Sequence, residues 1–456
     1  MAYKDFIADK SQWKHAAGFD PGDPPGFLFD FQQYLYRYAC EKGRSAVYAD
    51  CGMGKTAIEL AFGDTVVKRE NKPVLLLTPL AVGQQVLSEA EKFGIEAKRS
   101  RAGEFDGSAC VWITNYEQLN KFDPTQFGGI ICDESSRIKD AKSATKHDVT
   151  EFMRRIKYRL LCTATAAPND YHELGTSSEA LGLLGFRDMI TTFFKQENSK
   201  DKRGWGRTKY RFRGHAQEPF WAWVCSWARS CRMPSDLGFS DERFVLPELI
   251  EREYVVHTEK LRDGLLFAMP GNTLQEEREE RRNSIGERCD MAAELATNHD
   301  GHSVIWCELN PEGDELQKRL PNAKQVKGSM PDEQKEEYLQ AFSDGQISQL
   351  ITKPKIGAWG LNWYHCHNSI HFPSHSYEQY YQAVRRFYRF GQKKPVTVSL
   401  IVNEGEAGIL KSIRRKSQQA DRMFASVVKH MGDAMHLDTK DYFPEKETLP
   451  SWVDAG

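Results

Sequence analysis

Short apolar runs alternate with polar, helix-forming stretches in two separate parts of the chain. In the first part the runs are SAVYAD, PVLLLTP, CVWITN, GGIICDE and YRLLCTAT; in the second they are HSVIWCELN, ISQLITKP, NSIHF and PVTVSLIV. Short apolar runs separated by helical patterns are typical of buried parallel strands joined by helices. The pattern therefore predicts an α/β protein with two lobes, each built on a parallel sheet.

The segment between the two parts has a different composition. It is rich in Trp, Arg and Glu, and its stretch QEEREERRNSIGERCDMAAELA predicts a long charged helix. We therefore expect three regions: a first lobe over 1–174, a mainly helical insertion and linker over 175–298, and a second lobe with a C-terminal extension over 299–456.

Composition narrows the class of protein. Hydrophobic residues make up 40% of the 456 residues, enough for buried cores, and the net charge of -2 gives no overall attraction to a polyanion. The ten cysteines include no CxxC pair, which argues against a zinc ribbon or a disulfide framework. Neither an apolar leader nor an apolar stretch of about 18 residues is present, so we expect a soluble, intracellular protein without a membrane partner.

The stretch YADCGMGKT lies between a predicted strand and the helical pattern AIELAF. Its last residues, Gly54, Lys55 and Thr56, match the end of the Walker A pattern, although Ala49 replaces the usual first glycine. Glycines let backbone N–H groups approach phosphate oxygens, a lysine neutralises their charge, and a threonine hydroxyl ligates magnesium. The predicted nucleotide-binding residues are Ala49, Asp50, Cys51, Gly52, Met53, Gly54, Lys55 and Thr56.

A second element, GGIICDESS, is an apolar strand that ends in Asp133 and Glu134. Carboxylates at the end of a strand beside a phosphate loop are suited to hold magnesium and the attacking water. We expect Asp133 to bind Mg²⁺ together with Thr56, and Glu134 to orient or deprotonate the water. A solvated acidic turn is the alternative, and it is disfavoured by the phosphate loop that precedes this pair.

The order of these motifs resembles that of superfamily-two helicases, and within them the Swi/Snf-like branch with its compact phage-type members. The resemblance covers residues 29–402. LFDFQQYLYRYA resembles the Q motif, which implies that Gln32 recognises the adenine edge. LLLTPLAVGQQVLSEAEKFG and ITNYEQL resemble motifs Ia and Ib, which in this family usually face the nucleic-acid backbone. CTATAAPND resembles motif III, with Thr163, Thr165 and Asn169 in the family positions and Ala166 where proline is common.

Three further stretches resemble motifs of the family's second lobe. VIWCELN resembles motif IV, and KPKIGAWGLN resembles motif V, which implies a nucleotide-site role for Gly360 and Asn362. QAVRRFYRFGQ resembles motif VI and places Arg386 and Arg389 three residues apart, on one face if the segment is helical. The resemblance implies that both arginines reach the ATP phosphates from across a cleft, with Arg389 as the arginine finger. A solvated arginine-rich helix is the alternative.

The resemblance implies two RecA-like lobes, ATP and Mg²⁺ as cofactors, and movement along single-stranded, duplex or forked DNA by a monomer in a phage or bacterial host cell. Two alternatives stay open. One is an RNA helicase, and the other is an ATP-gated interaction switch without unwinding activity.

Two basic stretches outside the motifs are candidates for contact with nucleic acid. Residues 201–213, DKRGWGRTKYRFR, combine six basic residues with aromatic side chains. Basic side chains neutralise phosphates, and aromatic side chains stack on bases. The predicted contact residues are Arg203, Trp205, Arg207, Lys209, Tyr210, Arg211 and Arg213. A surface loop without substrate contact is the alternative. The run KSIRRK near the C-terminus is similarly ambiguous.

A cluster of possible zinc ligands consists of His365, Cys366, His367, His371 and His375. Neighbouring residues on a strand point to opposite faces of the sheet, so a regular strand here does not direct adjacent side chains to one metal ion. We interpret these histidines as structural.

Overall fold

The computed structural model describes residues 17–167, 170–200, 206–258, 274–357 and 362–438. They form two compact units. The first, which we call the first lobe, contains the described residues up to Arg243 and those from Gln419 onwards. The second lobe is Phe244–Gln418.

The first lobe is built on a seven-stranded parallel sheet with the order β3-β4-β2-β5-β6-β1-β9. Its strands are β1 (Arg44–Ala49), β2 (Val74–Thr78), β3 (Ala97–Arg99), β4 (Val111–Asn115), β5 (Gly129–Cys132), β6 (Tyr158–Cys162) and β9 (Ala228–Cys231). Its helices are α1 (Asp30–Lys42), α2 (Lys55–Glu70), α3 (Gly83–Lys92), α4 (Ala144–Arg154), α5 (Leu174–Leu181), α6 (Phe186–Phe193) and α7 (Gln217–Trp227). An antiparallel hairpin, β7 (Phe194–Lys200) and β8 (Gly206–Phe212), adds to them.

The second lobe is built on a six-stranded parallel sheet with the order β10-β15-β14-β11-β13-β12. Its strands are β10 (Leu249–Val256), β11 (Ser303–Trp306), β12 (Lys324–Gln325), β13 (Gln349–Thr352), β14 (Asn368–His371) and β15 (Val396–Asn403). Its helices are α8 (Leu274–Asn283), α9 (Ile285–Thr297), α10 (Asn310–Arg319), α11 (Asp332–Ser343), α12 (Pro354–Gly357) and α13 (Tyr377–Val384). The last helix, α14 (Ala407–Asp438), begins in this lobe, and its residues from Gln419 belong to the first.

All nine apolar runs form strands of the two sheets, so the predicted α/β fold with two parallel-sheet lobes is confirmed. The strands β2, β4 and β5 are buried at every position. A parallel sheet is covered on both faces, which explains why these strands appear as continuous apolar runs without alternation.

The segment 175–298 contains more than helices. It supplies β9 to the edge of the first sheet, β10 to the edge of the second, and the β7–β8 hairpin. The predicted long charged helix is two helices, because Ser284 leaves helical geometry at φ -106°, ψ 18°. The chain passes from one unit to the other after Arg243, inside this segment. The three-part division predicted from the sequence stays a prediction.

The cysteines and the apolar content of the helices can both be compared with the structure. All ten cysteines are buried and free of disulfides. Ten small, weakly polar side chains therefore serve as packing residues. Among the described residues, no helix combines the length and the apolar character needed to cross a bilayer.

The core of the second lobe contains a network of buried charges. Arg288 pairs with Glu312 at 2.8 Å, and both side chains are fully buried. Arg281 pairs with Glu406 at 2.6 Å in the same interior. Arg288 also donates to Ser284 Oγ at 3.1 Å, so its charge is compensated and its donors are used. A buried charge is tolerated only with such partners, because desolvation costs several kcal/mol for each ion.

Removal of one partner from this network should destabilise the second lobe strongly. We expect Arg288→Met to lower its free energy of unfolding by about 3–5 kcal/mol, because Glu312 is left buried and uncompensated. The matched control is Lys318→Met on α10, which breaks an exposed ion pair with Glu315 and should cost less than about 1 kcal/mol. Urea unfolding measures both, and equal losses would contradict a structural role for the buried pair.

Candidate functional site

The loop between β1 and α2 is shaped by glycine. Gly54, the residue before α2, has φ 73° and ψ 40°, which is left-handed backbone that favours glycine. A Cβ atom at this position would lie 2.2 Å from Gln32 Nε2. Gly52 also has a positive φ, of 90°. Backbone geometry therefore favours glycine at both positions of the predicted phosphate loop, and the close approach of Gln32 adds to this preference at Gly54.

The Lys55 side chain turns back onto this loop. Its Nζ donates to the carbonyl oxygens of Ala49, at 3.0 Å, and Asp50, at 3.3 Å. Burial by itself lowers the pKa of Lys55, but nearby groups outweigh that effect and raise the pKa above its ordinary value. These groups are Cys51, Glu134, Asp133 and Asp50. The ammonium group therefore stays charged at the end of the central strands, in the first turn of the helix that also carries Thr56.

Gln32 ties the first helix of the lobe to the same loop. Its Nε2 donates to the carbonyl oxygen of Met53 at 2.9 Å, and its Oε1 accepts from the backbone N–H of Phe29 at 3.0 Å. The side chain is 4% exposed. The resemblance assigned adenine recognition to Gln32, and the structure places it directly against the phosphate loop.

Asp133 and Glu134 follow β5 and are oriented by hydroxyl groups from neighbouring segments. Thr78 Oγ1, at the end of β2, donates to Asp133 Oδ2 at 3.1 Å. Tyr116 Oη donates to the carbonyl oxygen of Asp133 at 2.6 Å. Thr163 Oγ1, just after β6, donates to Glu134 Oε2 at 3.2 Å. The carboxyl ends of four parallel strands, β2, β4, β5 and β6, therefore bring these groups together at one edge of the sheet.

The backbone at Glu134 is unusual. Its φ of 54° is left-handed, a conformation that non-glycine residues rarely adopt and that recurs at functional sites. A 3₁₀ turn, Ser135–Ile138, starts immediately afterwards. The backbone N–H of Thr165 donates to Thr163 Oγ1 at 3.1 Å, which holds the hydroxyl that contacts Glu134. The stretch resembling motif III is thus connected to this carboxylate, while its Asn169 lies outside the described residues.

Three contributors to this site were not identified from the sequence. Thr78 and Tyr116 lie in the stretches that resemble motifs Ia and Ib. Their positions at the ends of strands were the signal in the sequence that could have identified them as site residues. The third is Glu59, on α2 one turn beyond Lys55. It is fully buried, and neither carboxylate oxygen has a nitrogen or oxygen hydrogen-bond partner among the described residues, while the thiol of Cys162 lies beside the carboxyl group. Burial raises the pKa of Glu59 well above its usual range, and the charge of Asp133 adds to that effect.

The predicted residues of the second lobe lie near the end of α13. This helix ends at Val384, so Arg386 and Arg389 lie in the turns that follow it and do not share a helix face. Arg386 is 2% exposed, and its guanidinium donates to the carbonyl oxygen and to Oε1 of Gln382, both at 3.1 Å. Asn362 Oδ1 is buried without a hydrogen-bond partner among the described residues. Gly360 lies outside them.

The basic, aromatic stretch predicted to contact nucleic acid forms part of the β7–β8 hairpin. Tyr210 lies against the ring of His172, with centroids 4.8 Å apart. Arg211 pairs with Glu197 at 3.0 Å across the hairpin. Arg213 Nε donates to the carbonyl oxygen of Phe194 at 2.9 Å. The backbones of Arg207 and Lys209 pair with β7, whereas Arg203 and Trp205 lie outside the described residues.

The possible zinc ligands are dispersed in the second lobe. His365 lies against His302 and His367 against His299, with ring centroids 4.8 and 4.7 Å apart. His371 is buried in β14 and bonds Ser369 Oγ at 2.7 Å, and burial lowers its pKa to about 3. His375 pairs with Glu277 on α8 at 2.7 Å. In the part of the chain that the structure describes, no three His, Cys, Asp or Glu side chains are grouped to hold a metal ion.

One family model and several solved structures are similar to this chain. Residues 287–391 match the family described as helicase conserved C-terminal domain. The S. cerevisiae protein Dbp5, in a structure bound to RNA and ADP BeF3, is similar at a TM-score of 0.56 with 13% identity, over 89% of this chain and 94% of that one. The Sulfolobus solfataricus SWI2/SNF2 ATPase core in complex with dsDNA is 17% identical over 90% of this chain and 96% of that one, at a TM-score of 0.41. No curated protein matches the chain.

The buried carboxyl group of Glu59 makes a pH-dependent contribution to stability. Because its pKa is raised in the folded state, its favourable contribution is complete below the unfolded pKa and is lost as the pH rises towards the folded pKa. We therefore expect Glu59→Gln to raise Tm at pH 8, by about 2–4 °C for each kcal/mol recovered, and to have little effect near pH 5.

Thermal unfolding between pH 5 and 8 measures this difference. The control is Glu91→Gln on the exposed side of α3, which should follow the parent at every pH. If the Tm of Glu59→Gln parallels that of the parent across the range, Glu59 does not carry the raised pKa.

Proposed function

We propose that this chain is a superfamily-two helicase, an ATP-driven motor that moves along DNA; its match to the helicase conserved C-terminal domain and its two α/β lobes support this proposal. The observation that carries the proposal is the convergence of Lys55, Asp133 and Glu134 at the carboxyl edge of the first sheet. A cation, a candidate metal ligand and a candidate base in one place are the parts that phosphoryl transfer from ATP requires.

The chain's residues fit a nucleoside triphosphate with magnesium. Gly54 lets the loop backbone approach phosphate oxygens, and the N-terminus of α2 favours an anion. The charged Lys55 suits the same ligand. Thr56 and Asp133 would hold Mg²⁺, which when bound neutralises charge on the phosphates. The remaining loop residues, Ala49 to Met53, would contribute backbone groups.

Glu134 is proposed to orient and deprotonate the attacking water. Its side chain accepts a hydrogen bond from Thr163, which in turn accepts from the backbone N–H of Thr165. A change in the segment 163–165 therefore changes the position of the base directly. We infer that this contact connects hydrolysis to movement of the nucleic-acid-binding segments, as the resemblance to motif III implies.

The second lobe is proposed to contribute the remaining charges. Arg389 would stabilise negative charge that develops on the transferring phosphoryl group, which is the role of an arginine finger. Arg386 is held in place by two hydrogen bonds to Gln382. Asn362, whose buried Oδ1 lacks a hydrogen-bond partner among the described residues, would accept a hydrogen bond in the nucleotide-bound state.

DNA is the preferred substrate because the motif order resembles the Swi/Snf-like branch. RNA is the second candidate, since the similar structure of Dbp5 is bound to RNA. The β7–β8 hairpin is proposed as an additional contact to the strand, through Arg203, Trp205, Arg207, Lys209, Tyr210, Arg211 and Arg213. An ATP-gated switch without translocation is the third candidate.

Replacement of the proposed base should separate ATP binding from hydrolysis. We expect Glu134→Gln to bind ATP like the parent and to lose at least about 100-fold in kcat, the contribution typical of a general base. Glu151→Gln, which removes an exposed carboxylate paired with Arg154 on α4, is the control and should keep full activity. Turnover of Glu134→Gln at the parental rate would refute the assignment.

A substrate panel should identify the nucleic acid. We expect duplex or forked DNA to stimulate the ATPase more than RNA of matched length, and ATP to drive displacement of a triplex-forming strand from duplex DNA. Steady-state ATPase assays and strand-displacement assays measure the two effects. Stronger stimulation by RNA would overturn the DNA assignment, and stimulation by neither would favour the switch.

A further inference from the structure

A cavity of about 510 Å³ lies at the carboxyl edge of the second sheet. Its lining includes Glu308, Lys355 and Ser374, which follow β11, β13 and β14 respectively, and residues of α8. The carboxyl ends of parallel strands form one edge of a sheet, and ligands of α/β proteins bind at that edge. The position alone makes this cavity a candidate binding site.

The cavity is predominantly cationic. α8 contributes Arg278, Arg281 and Arg282 to its lining. Arg281 forms an ion pair with Glu406, and the carboxylate of Glu277 contacts His375. By contrast, Arg278, Arg282 and Lys355 are exposed, and none of them has an ion-pair partner among the described residues.

A second groove of similar volume, about 510 Å³, runs along the first turns of α14. Residues 407–418 of this helix contain four basic residues and no acidic residue. Arg414 contacts Glu253, and Lys416 donates to the carbonyl oxygen of His375 at 2.8 Å, so both have structural partners. Lys411 and Arg415 line the groove, are exposed, and have no ion-pair partner among the described residues.

The two grooves adjoin, because α8 packs against the start of α14. A Cβ atom on Gly408, which lines the second groove, would lie 3.1 Å from Glu277 Oε1, which lines the first. Ile409, also on α14, lines the first groove. The exposed cations of both grooves form one continuous region, which we call the basic surface: Arg278, Arg282, Lys355, Lys411 and Arg415.

We propose that the basic surface binds the phosphate backbone of the nucleic acid on which the motor moves. This inference rests on the proposed function, and adds to it contacts on α8 and α14 that lie outside the stretches resembling helicase motifs, beside Lys355 in the stretch resembling motif V. The chain as a whole has a net charge of -2, so attraction to a polyanion has to come from a local cluster of this kind.

The geometry of the cations suits a repeating anion. Lys411 and Arg415 are one helical turn apart, which separates them by about 6 Å along the helix axis. Each strand of a duplex presents a phosphate roughly every 3.4 Å along its axis, so both side chains can contact one strand at the same time. An isolated basic helix face is usually only solvated, but here two grooves with unpaired cations adjoin at the ligand-binding edge of a sheet.

The test compares charge-reversal variants in binding to duplex DNA at several salt concentrations. We expect Lys411→Glu/Arg415→Glu to raise Kd at least tenfold and to reduce the slope of log Kd against log salt by about two, one for each lost phosphate contact. We expect the same changes in Kd and in salt slope for Arg278→Glu/Arg282→Glu. The ATPase rate without nucleic acid should stay at the parental value in both, because none of these residues belongs to the proposed ATP site.

The matched control is Lys318→Glu/Lys324→Glu, which makes the same change in net charge at exposed positions of α10 and the start of β12. It should leave the salt slope unchanged. Lys411→Gln/Arg415→Gln removes the charges without reversing them and should show a smaller effect in the same direction. Circular dichroism checks that each variant is folded. If the Glu variant does not fold, the Gln variant still tests whether the basic surface contributes to DNA binding.

Two outcomes would overturn the inference, and they are distinguishable. If the parent binds DNA and is stimulated by it while both Glu variants keep its Kd and salt slope, the basic surface has another partner, such as an acidic protein. If the parent neither binds DNA or RNA nor is stimulated by them, the proposed function fails, and this inference fails with it.

Discussion

The charge balance around Lys55 is the constraint on which the rest of the first lobe depends. Burial disfavours the charged form of an ammonium group at the end of the central strands, but Cys51, Glu134, Asp133 and Asp50 outweigh that effect and raise the pKa of Lys55. The same carboxylates would repel one another without the lysine. Loop, strand ends and helix N-terminus are thus held in one arrangement by charges that no single element supplies.

Hydroxyl groups from neighbouring strands orient the two carboxylates of Asp133 and Glu134. Thr78 and Thr163 come from strands on either side of β5, and each directs one of the two carboxylates. Because the strand order puts β2 and β6 next to β5, residues distant in sequence become hydrogen-bond partners. The left-handed backbone at Glu134 is maintained by these surroundings, which compensate for its local strain.

The second lobe uses buried charge for a different purpose. Arg288 and Glu312 are fully buried within its core and connect α9 to α10. Arg281 on α8 pairs with Glu406, the residue that immediately precedes α14. Interior pairs therefore fix the helices from which the exposed cations of the basic surface project.

The sequence by itself determined the nine core strands, the two parallel-sheet lobes and the loop around Lys55, because continuous apolar runs and glycine–lysine spacing are local signals. It did not reveal the edge strands β3, β9, β10 and β12, nor the break at Ser284, because edge strands have weak patterns and helix ends depend on neighbours. The contacts of Thr78, Tyr116 and Glu59, and the adjoining of α8 and α14, were decided only by tertiary structure. These groups are far apart in the chain, and strand order and helix packing alone bring them together.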